Sequence, residues 1–259
     1  MQKGKCRLCL HNKDLCKKSH IIPKFLYKLL TGGNNKIVCI DSERSYFKYN
    51  SEYEGNILCE DCDSRIIGKL DDYGAKFFYD KFPNDVLPCF KIIDGEECVV
   101  RENDPFYDYK KMKLFLLSIL WRSSISTRPL FQKVKLRREV EESLRLMIIN
   151  GKPDEPDEYV CFIRLPPLTT MPNGKRGFNT FDMPTMAPCP LTTKEMEICQ
   201  FVIQGTHYYF ILSRPVNMKV VPGVDKHRLV LGINSREQQA RLHSEIIELM
   251  KNHSKYKNG

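Results

Sequence analysis

Apolar positions along the 259-residue chain follow two rhythms, one of period near 3.6 and one of period 2. The strongest helical stretch is Phe106–Ser126, where Tyr109, Met112, Leu116, Ile119 and Leu120 recur at i, i+3, i+4 spacing. Pro105 introduces it and Arg128-Pro129 breaks it. A second helix, Arg137–Asn150, stops at Asn150-Gly151, a dipeptide suited to a left-handed C-terminal position. Ile66, Ile67, Leu70, Tyr73, Ala75, Phe77 and Phe78 supply the buried stripe of a helix that begins around Cys59–Cys62 and runs to about Tyr79. Ser235–Lys251 is amphipathic, with Ala240, Leu242, Ile246, Leu249 and Met250 inward. Pro23 opens a short helix, Lys24–Leu30.

Period-2 alternation marks two hairpins. One pairs Lys36–Ile40 with Arg44–Tyr49; the other pairs Cys199–Ile203 with His207–Leu212 around Gln204-Gly205-Thr206. Shorter strands are expected at Lys17–Ile22, Phe90–Ile93, Cys98–Arg101, Tyr159–Leu165 and Arg228–Leu231. Pro166–Pro190, rich in Pro, Thr, Met and Gly, reads as a long surface loop. These elements make an α+β chain in three parts: an N-terminal unit over 1–82, a connector over 83–104 and a mixed α+β domain over 105–259.

The longest apolar runs, Leu114–Trp121 and Tyr208–Leu212, fall far short of the roughly 20 residues that span a membrane. No apolar core precedes the first cysteine, so a secretory signal is not expected and a cytoplasmic location is. The net charge of +9 is unevenly placed. Residues 1–28 carry eight Lys/Arg against Asp14 alone, and residues 110–145 carry ten against three acids. Residues 51–72 run the other way, with seven acids against Arg65 and Lys69. The 110–145 bias is equally well explained by a solvated helix face. The 1–28 bias favours a polyanionic partner, because it surrounds the candidate chemistry.

That chemistry centres on two Cys-x-x-Cys pairs, Cys6/Cys9 and Cys59/Cys62. Eleven cysteines could make a disulfide framework, but the number is odd and no export signal is present, so paired Cys-x-x-Cys reads as metal first. Four thiolates in two chelating pairs are a ligand set for structural Zn²⁺. The second pair sits at a helix start, where the helix dipole favours negative charge. The remaining cysteines read as small buried apolar residues.

A zinc knuckle, then Ser19-His20-Ile21-Ile22-Pro23, then Asn56-Ile57-Leu58-Cys59-x-x-Cys62-Asp63 at a helix start, resembles the HNH or His-Me finger endonucleases built on a treble-clef zinc site. The resemblance covers residues 5–80 and implies a treble-clef, ββα-metal module. It implies a general base at His20, a catalytic Mg²⁺ or Mn²⁺ ligand at Asp63 and an orienting residue at Asn56, a place that Glu54 could fill instead. Ser19 stands where many members carry a second metal-binding residue. Histidine suits activation of water near neutral pH, and a carboxylate suits a hard cation. Lys17, Lys18, Lys24 and Arg65 would meet phosphates, with DNA the expected nucleic acid. Modules of this kind commonly occur in bacterial defence and mobile elements.

No catalytic motif marks residues 105–259, and His207, His227, His243 and His253 flank no carboxylate pair at metal spacing. The resemblance implies target recognition or sensing there, and leaves room for a homo-oligomer or a protein partner through 105–259. Two other functions fit the same residues: a catalytically inactive zinc finger that binds nucleic acid, and a purely structural zinc unit in a protein-interaction module.

Overall fold

The computed structural model describes residues 2–27, 37–40, 45–48, 52–81, 90–170, 176–178, 185–191, 195–215, 217–218, 223–238, 240–241 and 244. The chain opens with an antiparallel hairpin, β1 (Gln2–Lys5) and β2 (Asn12–Leu15), whose turn carries the first cysteine pair. Then come β3 (Ser19–His20), a 3₁₀ turn at Lys24–Tyr27, a second hairpin, β4 (Ile37–Ile40) and β5 (Ser45–Lys48), and β6 (Tyr53–Glu54). β3 and β6 pair antiparallel, His20 opposite Tyr53. The short helix expected over Lys24–Leu30 is thus a 3₁₀ turn as far as Tyr27, and its last three residues lie outside the described residues.

From Asp61 the chain is helical but not uniformly α. Asp61–Ile67 is wound as a π-helix, continues as α1 (Gly68–Ala75) and returns to π winding over Lys76–Lys81. β7 (Phe90–Ile93) and β8 (Glu96–Glu102) form a hairpin closed by Asp94 and Gly95, both at positive φ as a tight type I′ turn requires. α2 (Tyr109–Ser124) starts at Asp108, whose carboxylate accepts the Lys111 N–H at 3.1 Å. Thirteen of the sixteen residues of α2 are buried, so this helix runs through the centre rather than lying on one face. Its Lys113 ammonium is satisfied by the carbonyls of Asp154, Glu155 and Glu158. α3 (Arg138–Asn150) ends as expected, with Gly151 at φ 63°.

The rest is mostly strand: β9 (Val160–Leu165), β10 (Leu168–Thr170), β11 (Arg176–Phe178), β12 (Thr185–Pro190), β13 (Glu197–Ile203), β14 (Thr206–Ser213) and β15 (Arg228–Ile233). Nine strands form one mixed sheet in the order β5-β4-β12-β13-β14-β9-β15-β8-β7. The pairs β4–β12 and β9–β15 are parallel and the others antiparallel. The fold is therefore α+β, with a large mixed sheet and few helices.

Two expectations are corrected here. Pro166–Pro190 is not a loop throughout, since it contains β10, β11 and the internal sheet strand β12. Pro188 is accommodated because the β12–β13 register shifts between Met186 and Cys189, the irregularity that proline needs inside a sheet, and Pro190 is the strand's last residue. The divisions at 82 and 105 do not divide the core. β4 and β5 from the N-terminal part form one edge of the large sheet, and β7 and β8 from the expected connector form the other. One apolar cluster runs from Cys6, Leu8 and Leu58 through Phe115 and Trp121 to Phe201 and Leu231. The Ser235–Lys251 helix starts with a capping box, Gln238 N–H to Ser235 Oγ and Ser235 N–H to Gln238 Oε1; most of it lies outside the described residues.

Candidate metal centre and active site

The zinc expectation is met in geometry. In the β1–β2 turn the Cys6 N–H donates to His11 O and the Leu10 N–H to Cys6 O, each at 2.9 Å, with Leu10 at φ 63°. This tight turn aims Cys6 and Cys9 at one point. The second pair is brought to it by backbone lacing. Arg7 N–H donates to Ile57 O, Cys16 N–H to Leu58 O and Asn56 N–H to Cys16 O, at 2.9, 2.8 and 2.8 Å. Gly55 is required in this lacing, because a Cβ there would lie 2.6 Å from Lys17 O.

The four sulfurs all lie within 4.8 Å of one another, with Cys9 and Cys59 Sγ 4.0 Å apart. A tetrahedron with Zn–S bonds of about 2.3 Å has edges of about 3.8 Å, so the donors fit a zinc ion. Burial disfavours a charged Cys6, but the N–H groups of Cys9, Cys59 and Leu8 outweigh it and hold this thiol below its ordinary pKa. Cys59 and Cys62 are pushed up, chiefly by burial and then, at Cys62, by the charge of Cys6. Four crowded thiols of this kind become stable thiolates when a cation is shared among them.

On the adjoining surface His20 is exposed on β3, while Ser19 beside it is fully buried. This is the alternation a strand dictates. The packed protein around the imidazole, the largest influence, holds the His20 pKa below its ordinary value. Asp71 and Asp63 act to raise it, Arg122 and Lys24 to lower it. The Asp63 carboxyl is pushed up by burial, opposed by the Ser19 hydroxyl, Arg122 and His20. Ser19 Oγ faces Asp63, yet among the described residues it has no partner at hydrogen-bond distance, although its position is fully buried. Asp63 itself sits in the π-wound first turn, its N–H on Cys59 O at 2.9 Å and its carbonyl accepting the Gly68 N–H. Such π segments are frequent at functional sites.

Other expected residues are placed differently. Asn56 is exposed at φ 61°, and its backbone serves the cysteine lacing. Glu54 is buried and its carboxylate is fully engaged by Ser126 Oγ at 2.6 Å, Thr127 Oγ1 at 2.6 Å and Thr127 N–H. Arg65 is exposed and pairs at 3.5 Å with Asp61, which also holds Lys13 at 2.9 Å. Lys17, Lys18 and Lys24 are exposed near His20. Among the described residues, the four cysteines are the one group of three or more His, Cys, Asp or Glu whose donor atoms lie close enough to share an ion.

In the sequence the helix end Trp121-Arg122-Ser123-Ser124 suggests a grip on nucleic acid or a protein partner, or an ordinary amphipathic helix; the structure buries Arg122 and turns it inward. Its guanidinium is fully buried and makes a bidentate pair with Asp71, at 2.8 and 3.0 Å. It also donates to His20 O at 2.8 Å. α2 thereby grips both the histidine strand and the helix that carries Asp63. The available signal was an arginine directly after the apolar run Leu114–Trp121, still within the expected helix, since a charge on a buried helix must be paired. No described helix is long and apolar enough to cross a membrane. Comparison with family models, with curated proteins and with solved structures finds no match to this chain.

Proposed function

We propose that this chain is a metal-dependent HNH-like endonuclease that hydrolyses phosphodiester bonds in DNA on a treble-clef zinc frame. The observation that carries the reading is the placement of an exposed His20 beside the Ser19 hydroxyl and the Asp63 carboxylate, immediately after the last cysteine. Its lowered pKa keeps the His20 imidazole neutral near pH 7, the form that takes a proton from water. Arg122, bonded to the His20 carbonyl, fixes the strand on which the ring is mounted. Asp63 and Ser19 offer two hard oxygen donors for Mg²⁺ or Mn²⁺. Such an ion, when bound, stabilises charge on the phosphate and the leaving oxygen. Lys17, Lys18 and Lys24 draw the phosphates in.

The test is nicking of supercoiled plasmid by the zinc-loaded protein with Mg²⁺ or Mn²⁺. Activity is expected to fall at least about 100-fold in His20→Ala, with zinc content unchanged. Equal cleavage by the variant would sink the assignment of His20. A second reading, a non-catalytic zinc module that binds nucleic acid, is favoured by one observation: His20, Asp63 and Asp71 do not converge as a metal group, and Asp71 is taken by Arg122. Protein that binds DNA and cleaves neither DNA nor RNA with any divalent ion would establish that reading.

A further inference from the structure

We propose that Lys18 and Arg128, gathered around the ring of Tyr53, form the phosphate-binding ridge that seats a nucleic-acid strand across His20. This rests on the nucleic-acid reading of the N-terminal unit, though not on cleavage.

Tyr53 lies directly opposite His20 in the β3–β6 pair, so whatever covers the Tyr53 ring borders the imidazole. Lys18 Nζ stands 5.0 Å from the ring centroid and the Arg128 guanidinium 5.6 Å. Arg128 belongs to the basic 110–145 stretch, far away in sequence, and is held here by built-in contacts. Its Nε donates to Tyr53 O at 2.9 Å, and its own N–H donates to Ser126 Oγ at 3.1 Å. Ser126 and Thr127 are in turn clamped on Glu54, the residue after Tyr53. The Glu54 carboxylate is thus taken up by hydroxyl and amide donors, and among the described residues it makes no ion pair with Arg128.

Among the described residues none of Lys17, Lys18, Lys24 and Arg128 has a carboxylate partner, whereas Lys13 and Arg65 are both paired with Asp61. Two cations held against one ring repel each other, and the ring offsets only part of that. A phosphate backbone passing along the ring relieves that repulsion. Among the described residues the outer N–H groups of Arg128 have no hydrogen-bond partner and can bind a phosphate in a forked geometry.

The full-length, zinc-loaded His20→Ala protein allows binding to be measured without cleavage. Anisotropy of a labelled duplex and of its single strand is followed from about 50 to about 200 mM salt. Lys18→Gln and Arg128→Gln are each expected to weaken binding and to flatten the log–log salt slope by about 0.7–0.9. Arg128→Lys restores the slope, and Tyr53→Leu weakens binding at unchanged slope. Lys91→Gln, on edge strand β7, controls for simple charge loss. Slopes in Lys18→Gln and Arg128→Gln no flatter than in this control overturn the ridge, as does a parent protein that binds neither probe. If the ridge variants behave as stated while wild-type protein never cuts, the ridge stands and the nuclease reading falls. If wild type cuts and these variants bind like the parent, the reverse holds.

Discussion

At Arg122 a fully buried guanidinium directs its five N–H groups at three elements: Asp71 twice, the His20 carbonyl, and the carbonyl and hydroxyl of Ser118. A buried charge satisfied this completely is a fixed strut rather than a liability. Its partners lie 51 and 102 positions away, which is why local pattern could flag the residue but not name them. The cysteines were legible for the opposite reason, since each pair is a local chelate and only the joining of the pairs is long-range. His207 shows how burial, helped by the nearby charge of Arg164, sets a residue's chemistry. Its Nδ1 lies 2.9 Å from the Gln200 amide and 3.2 Å from the Tyr209 hydroxyl, its Nε2 has no partner among the described residues, and burial lowers its pKa to about 4. Above pH 6.5 the ring is neutral folded or unfolded, and the fold bears no penalty. As pH falls from 6.5 the unfolded chain takes up a proton that the folded ring refuses, so stability is lost down to about pH 4. The loss is on the order of 3 kcal/mol. Denaturant unfolding at pH 7.5 and near pH 4.5 should show a smaller acid loss in His207→Gln than in wild type. Acid release of zinc affects both proteins alike, so it is the difference between them that decides. Equal losses would show that the His207 ring is solvated in the folded chain and takes up its proton there too.

Elements were legible where their signals are local. α3 with its Gly151 stop, the β13–β14 hairpin on Gln204-Gly205 and the β7–β8 hairpin on Asp94-Gly95 fall where turn chemistry puts them. β12 was not legible, because Pro188 and Pro190 argue against a strand, and only a bulge beside β13 admits Pro188 while Pro190 ends the strand. Its parallel pairing with β4, Thr185 opposite Cys39, had no sequence signal at all. The α1–α2 contact turns on Gly74, where an added Cβ would sit 2.8 Å from the Phe115 ring. Helix propensity alone predicts that Gly74→Ala stabilises by about 1 kcal/mol. Phe115 is fully buried and packed between Phe25 and Phe78, at ring separations of 5.7 and 6.4 Å, so it has nowhere to move. Overpacking of such a core costs about 1–3 kcal/mol. The substitution should therefore be destabilising on balance, seen as a lower denaturant midpoint at constant slope. A higher midpoint would mean that the two helices can separate by the few tenths of an ångström required.

On the scale of the whole molecule, the unit that carries the four cysteines, which could hold zinc, has no core of its own to fall back on. Cys6, Cys59 and Cys62 belong to the same apolar cluster as α2, α3 and the large sheet, and Glu54, Asp71 and the His20 carbonyl find their partners on α2 or just after it. Binding of a structural zinc contributes about 10–16 kcal/mol in small finger peptides near pH 7. An entire domain is stable by about 5–15 kcal/mol. Losing the metal should consequently reach the far side of the core. Trp121, the single tryptophan, is 1% exposed and lies on α2 outside the cysteine frame, so it reports on that spread. Titration with a zinc chelator should shift Trp121 emission to the red over the same range of free zinc in which far-ultraviolet ellipticity falls, as one transition. An emission spectrum that stays blue after the metal has gone would show that the cysteine frame melts alone. The strut at Arg122 and the clamp at Glu54 would then be too weak to couple the two halves.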